Sequence, residues 1–108
     1  MLILFDNGTP RGLAHLLTGH SVEEARARGW EELANGELID AAEQGGFDLM
    51  VTTDKNIRYQ QNLTGRRIAL VILGNQQWPD VRLCLDMIAA TVDACEPGSY
   101  TEVEIPFR

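Results

Sequence analysis

The chain has 108 residues, the size of one domain, and carries 9 basic against 16 acidic side chains for a net charge of −7. That balance argues against a broad basic surface for duplex DNA or an anionic membrane. No apolar run approaches the ~18 residues of a membrane span, and the apolar start has no basic segment before it, so it reads as a strand and not as a signal peptide. The expectation is a single cytoplasmic domain, residues 1–108, with no membrane partner.

In chain order, Leu2–Asp6 (LILFD) reads as a short buried strand. Asn7–Pro10 (NGTP) is a turn, with Thr9 and Pro10 predicted at the N-cap and first position of a helix. Leu13, Leu16 and Leu17 have helical spacing, and Gly19 stops that helix. His20–Arg26 is ambiguous, a short edge strand followed by a loop through Trp30. The segment NGELIDAAEQGG predicts a helix with Asn35 as N-cap, Glu37 in its first turn and Gly45–Gly46 at its end.

Phe47–Thr53 (FDLMVTT) is the next strand, apolar enough in its centre for burial on both faces. Ile57–Gln61 forms a short helix. Arg66–Leu73 (RRIALVIL) is the clearest strand in the chain. Trp78–Cys95 predicts one long helix, with Pro79 near its start and Val81, Leu85, Ile88, Val92 and Cys95 down one stripe. Ser99–Ile105 (SYTEVEI) alternates as a final edge strand. Cys84 and Cys95 lie about 16 Å apart along that helix. This is too far for a disulfide, and both read as buried or half-buried thiols.

Strands alternating with helices argue an α/β layer fold with a mostly parallel sheet of about five strands. In such sheets ligands bind beyond the carboxyl ends of the strands. Two acids stand there: Asp6 closes the first strand and Asp54 the third. A carboxylate pair at one rim suits Mg²⁺ or Mn²⁺, which take oxygen ligands, waters and substrate phosphates. The plain alternative is that each aspartate only caps a turn. After Asp54 the chain turns to amides and cations, Lys55, Asn56, Arg58, Gln60, Gln61 and Asn62, offering donors and acceptors to a phosphate or a base. His15 and His20 have no partners at zinc spacing, and no phosphate-binding glycine fingerprint occurs. Glu23, Glu24, Glu31 and Glu32 read as a solvated face. Trp30 and Trp78 read as core or as caps over it.

The stretches LILFDNGTPRGLAHLLTGHSV and NGELIDAAEQGGFDLMVTTDKN resemble the small PIN-like nuclease families, in particular a branch known only as a domain of unknown function and related to the toxins of bacterial toxin–antitoxin systems. The resemblance runs from about Leu2 to Leu73. It implies a three-layer α/β/α fold and a ribonuclease that gathers acids around Mg²⁺ or Mn²⁺ to attack a phosphodiester. Carried over by position, Asp6 and Asp54 are the metal-binding catalytic acids, with Glu37 as a third member and Asp40 as a weaker candidate. Asn7, Asn35 and Asn56 stand where that pattern has acids, so the site is partly depleted of charge. Asn7, Asn35, Lys55, Asn56 and Arg58 are then the substrate-binding candidates, with Arg66 nearby. The implied partners are single-stranded RNA, a cognate antitoxin and a second copy of the chain, the last through the long final helix or the SYTEVEI edge. The competing expectation is a non-catalytic module that binds nucleotide, RNA or a protein through the amide-rich rim.

Overall fold

Side-chain alternation along three strands decides the architecture. In the computed structural model, which describes residues 1–60 and 62–107 and leaves the side chains of Arg58 and Gln60 undescribed, the central strands bury both faces. Strand β1 (Leu2–Phe5) sends Ile3 and Phe5 to one side and Leu4 to the other. Strand β3 (Leu49–Thr52) does the same with Leu49 and Val51 against Met50, and β4 (Ala69–Leu73) with Val71 and Leu73 against Leu70 and Ile72. A sheet buried on both faces needs a helical layer on each, which is why these strands read as continuous apolar runs.

The sheet has five strands in the order β2-β1-β3-β4-β5, where β2 is Ser21–Glu24 and β5 is Tyr100–Val103. Every pairing is parallel. The α/β layer fold expected from the alternation of elements is thus present, and the ambiguous segment after His20 does form an edge strand.

One face is covered by α1 (Asn35–Gln44), which buries Leu38, Ile39 and Ala42, and by α2 (Ile57–Gln60), which buries Ile57. Gly46, at φ +81°, turns the chain out of α1 toward β3, a conformation that a side chain would strain. The opposite face is covered by a 3₁₀ helix (Arg11–Leu16) and by a helical run made of α3 (Trp78–Val81), a 3₁₀ turn (Arg82–Cys84) and α4 (Leu85–Ala94). Leu13, Leu17, Val81, Ile88 and Val92 are its buried contributions.

Three local expectations are corrected. The single helix over 78–95 is interrupted, because Cys84 leaves helical geometry at φ −115° and ψ 22°. The helix after the first strand is a 3₁₀ helix with Pro10 in the cap position, since the Thr9 hydroxyl is engaged by Asp6 and by the Val51 carbonyl. Finally, Ala34 and not Asn35 is the N-cap of α1; Asn35 is its first helical residue, and its amide is spent on Asp54.

Trp30, Trp78 and the two cysteines serve packing. Trp30 meets Phe47 edge-on with ring centroids 6.1 Å apart, and the Arg28 guanidinium lies 5.5 Å from the Trp30 centroid. The Trp78 ring lies on Gly12, where a Cβ would come within 2.8 Å of it. Cys84 and Cys95 are free, half-buried thiols, and burial pushes the Cys95 thiol up. Among the described residues no helix is long and apolar enough to cross a membrane.

Candidate functional site at the carboxyl ends of β1 and β3

The strand order sets where a crevice opens. From β1 the chain leaves toward β2, and from the neighbouring β3 it leaves toward β4, on the other side. The two connections diverge, and ligands of open parallel sheets bind at such a switch point. Asp6 and Asp54 are the residues that emerge there, each half-buried. The parallel pairing of β1 with β3 extends to the Asp6 N–H, which donates to the Val51 carbonyl at 3.1 Å.

Each aspartate uses one oxygen locally and the other across the fold. Asp6 Oδ1 accepts from the Gly8 N–H at 3.1 Å and the Thr9 hydroxyl at 2.7 Å, while Oδ2 accepts from the Thr52 hydroxyl. Asp54 Oδ1 accepts from the Asn56 N–H at 2.9 Å, and Oδ2 accepts from the Asn35 amide. The turn-capping role is therefore real for both acids, and it accounts for three of these five hydrogen bonds.

Thr52 joins the two. It is fully buried, its hydroxyl donates to Asp6, and the same oxygen accepts the Asp54 N–H at 3.1 Å. One hydroxyl thus fixes the second carboxylate's backbone against the first carboxylate's side chain. Gly8 closes the rim from the other side: a Cβ there would sit 2.7 Å from Thr53 Oγ1. Thr53 in turn donates to Gln76 Oε1 at 3.4 Å, which brings the loop after β4 to the same rim. Behind it, Asn75 is buried and donates to Asp80 at 2.8 Å while accepting the Gln77 N–H at 2.8 Å.

The other candidates divide. Asn35 and Asn56 touch Asp54, the first by its amide and the second by its backbone. Asn7 turns its amide to the Glu31 carbonyl at 2.9 Å. Glu37 accepts the Ala34 N–H at 3.3 Å, which is the work of a first-turn acid in α1. Lys55 places its ammonium 5.6 Å from the centroid of Phe107. Arg66 binds Asp40 and, at 2.6 Å, Glu43, so neither it nor Asp40 is available to the rim in this arrangement. The Arg58 side chain lies outside the described residues. Thr52 was not singled out from the sequence, because a threonine in a strand reads simply as a β-former, and Thr9 was read only as a helix cap.

Two carboxylates with hydroxyl and amide oxygens nearby match how Mg²⁺ is commonly held, by one or two carboxylates with waters and substrate phosphates completing the shell. Among the described residues no group of three or more histidine, cysteine or acidic side chains is placed to hold a metal, so a dense acidic cage is not what this rim offers. The donor set fits a hard cation at low ligand count, provided that Thr52 and Asn35 yield the oxygens they now engage. No known family, no curated protein and no solved structure matches the chain.

Proposed function

We propose that this chain is a PIN-like, metal-dependent ribonuclease of low acid count, working as the toxin of a toxin–antitoxin pair in the cytoplasm. The observation that supports it is the meeting of Asp6 and Asp54, distant in the chain, at the switch point of the sheet and across one threonine hydroxyl. Asp6 and Asp54 would hold Mg²⁺ or Mn²⁺. That cation, when bound, supplies an activated water and charge neutralisation at a phosphodiester. The chain's own part is orientation. On loading, Thr52 and Asn35 would each release one carboxylate oxygen, while the Gly8 N–H and Thr9 keep Asp6, and the Asn56 N–H keeps Asp54, in place at the rim. Lys55 and Arg58 follow Asp54 directly in the chain and are the cations to meet an RNA phosphate, Lys55 by swinging off Phe107.

The test is incubation of the purified protein with mixed single-stranded RNA and Mn²⁺ or Mg²⁺, beside Asp6→Asn and Asp54→Asn. Cleavage that needs the metal and disappears in both variants is the expected result. A second reading is a non-catalytic module that binds nucleotide or RNA. It is favoured by the fact that all four carboxylate oxygens of the pair already accept hydrogen bonds from the chain. RNA binding without cleavage, and no heat of metal binding in calorimetry, would select that reading and end the first.

A further inference from the structure

The chain beyond β5 leaves the sheet at the same rim as the two aspartates. Strands β3, β4 and β5 are neighbours and parallel, so their carboxyl ends lie side by side. The Gly74 N–H, just past β4, donates to the Val103 carbonyl at 2.9 Å. Ile105 is buried in the core and pins the segment that follows. Two residues on, Phe107 is 66% exposed. The Lys55 ammonium stands 5.6 Å from the centroid of its ring. A hollow of about 330 Å³ on this side of the rim is lined by Lys55 and Gly74 and by Glu102 and Glu104. Its two acids repel a phosphate, so a nucleic-acid strand lays only its uncharged bases there.

Resting on the reading of the rim as an RNA site, we propose that Phe107 is a stacking platform for one base of a single-stranded RNA. The base takes the place on the ring that the Lys55 ammonium holds in the free protein. Phe107 lies outside Leu2–Leu73, the stretch that resembles the PIN-like nucleases, so that resemblance assigns it nothing.

An aromatic ring accepts any base through its π face, and such stacking outweighs a cation–π contact open to water. The displaced ammonium is then free for a phosphate of the same strand, and it stays beside Asp54 because Lys55 is the next residue. One weak internal contact is exchanged for two with the ligand. Neighbouring strands lie about 4.8 Å apart, which puts the ends of β3 and β5 roughly 10 Å from each other. One short strand of RNA can therefore touch both Asp54 and Phe107.

Fluorescence anisotropy with a labelled adenine-rich single-stranded RNA, in EDTA so that nothing is cut, tests this. The wild type is expected to bind. Phe107→Ala and Phe107→Leu should each weaken binding about tenfold, and Phe107→Trp should keep it. Leucine retains the apolar bulk, so loss in both variants isolates the ring. The ring is mostly exposed, and the circular dichroism should not change. Neither variant should alter the salt dependence. Lys55→Met should lower the slope of log affinity against log salt by about 0.7, the share of one phosphate contact on a single strand. A wild type that binds no RNA overturns the proposal. So does wild-type affinity in Phe107→Ala or Phe107→Leu, or a Phe107→Trp that binds no better than they do. An unchanged slope in Lys55→Met overturns the transfer of the ammonium to a phosphate. RNA held through Phe107 but left uncut when Mn²⁺ is added would end the nuclease reading and leave the platform standing. Cleavage with an affinity indifferent to Phe107 would do the reverse.

Discussion

The two ends of the sheet treat their carboxylates in opposite ways. At the amino end, near the entry to β4, Glu43 and Asp40 meet the Arg66 guanidinium, and Glu43 also takes the Arg67 N–H at 2.9 Å. Negative charge there is matched by positive charge on the spot. At the carboxyl end Asp6 and Asp54 are held by hydroxyls, an amide and backbone N–H groups, all neutral. The neighbouring cation, Lys55, lies over an aromatic ring instead. The first arrangement is a staple between α1 and the segment that enters β4. The second fixes the position of two charges with no cation paired to them among the described residues, which suits the cation of the proposed function. The contrast separates acids paired with an arginine from acids held by neutral donors, and the proposed function assigns its cation to the second kind.

Removing the Thr52 hydroxyl should break the contrast most severely. Thr52→Val keeps the shape and the β-branched backbone preference but leaves a carboxylate oxygen and the Asp54 N–H without their shared partner. The expected loss is about 2 kcal/mol in chemical denaturation, together with weaker metal binding in calorimetry. Thr52→Ser should retain most of both. A valine variant as stable and as metal-competent as the wild type would show that Thr52 does not join the pair.

A smaller effect is expected at the amino end. Arg66→Met should cost about 1 kcal/mol, since both charges are partly exposed, and should leave RNA cleavage untouched. It should also change the pH profile. Burial raises the Glu43 carboxyl, but the Arg66 guanidinium and the Arg67 N–H outweigh it and hold the group below its ordinary value of 4.5. The folded state therefore binds that proton less readily than the unfolded chain. The stabilisation is complete above about pH 4.5 and is lost as the pH falls through the lower folded value. Thermal melts followed downward from about pH 6 should fall less steeply on acidification in Arg66→Met than in the wild type; parallel curves would remove Arg66 as the cause.

The smallest change in stability sharpens the comparison from the other side. Asn35→Asp adds a third charge beside Asp54 with almost no change of shape. Without metal the variant should be less stable by up to about 1 kcal/mol, from like-charge repulsion. Mn²⁺ should raise its melting temperature more than that of the wild type. Equal metal responses would mean that Asn35 does not face the cation position.

How much of this was legible in the chain depends on the range of the interaction. The apolar runs LILF and ALVIL announce central strands because burial on both faces is written residue by residue. Strand ends in a parallel sheet share a rim, so Asp6 and Asp54 were legible as soon as the strands were. Asn35 was misplaced by one position because a local pattern cannot register that Asp54 competes for its amide. Lys55 was expected at the rim, yet Phe107 draws it aside from the far end of the chain. Arg66 was set near the site by sequence proximity, while its partners lie on α1, with β3 and α2 between them in the chain. The 3₁₀ turn at 82–84 was hidden because an apolar stripe is read the same way through a tightened turn.

The position of β1 in the sheet bears on how the molecule comes into being. Strand β1 is not an edge: its neighbours, both later in the chain, are β2 on one side and β3 on the other. As the chain leaves the ribosome, Leu2–Phe5 must wait for residues 21–24 and then for residues 49–52 before both its flanks are paired. A parallel strand of this kind has no hairpin partner to shelter it in the meantime. Anything that delays synthesis between those points prolongs the exposure of an apolar segment, and that interval is where chaperone engagement or aggregation is expected. Deleting the same four residues would cut the sheet through its middle, isolating β2 and removing the seam along which both rim aspartates are held.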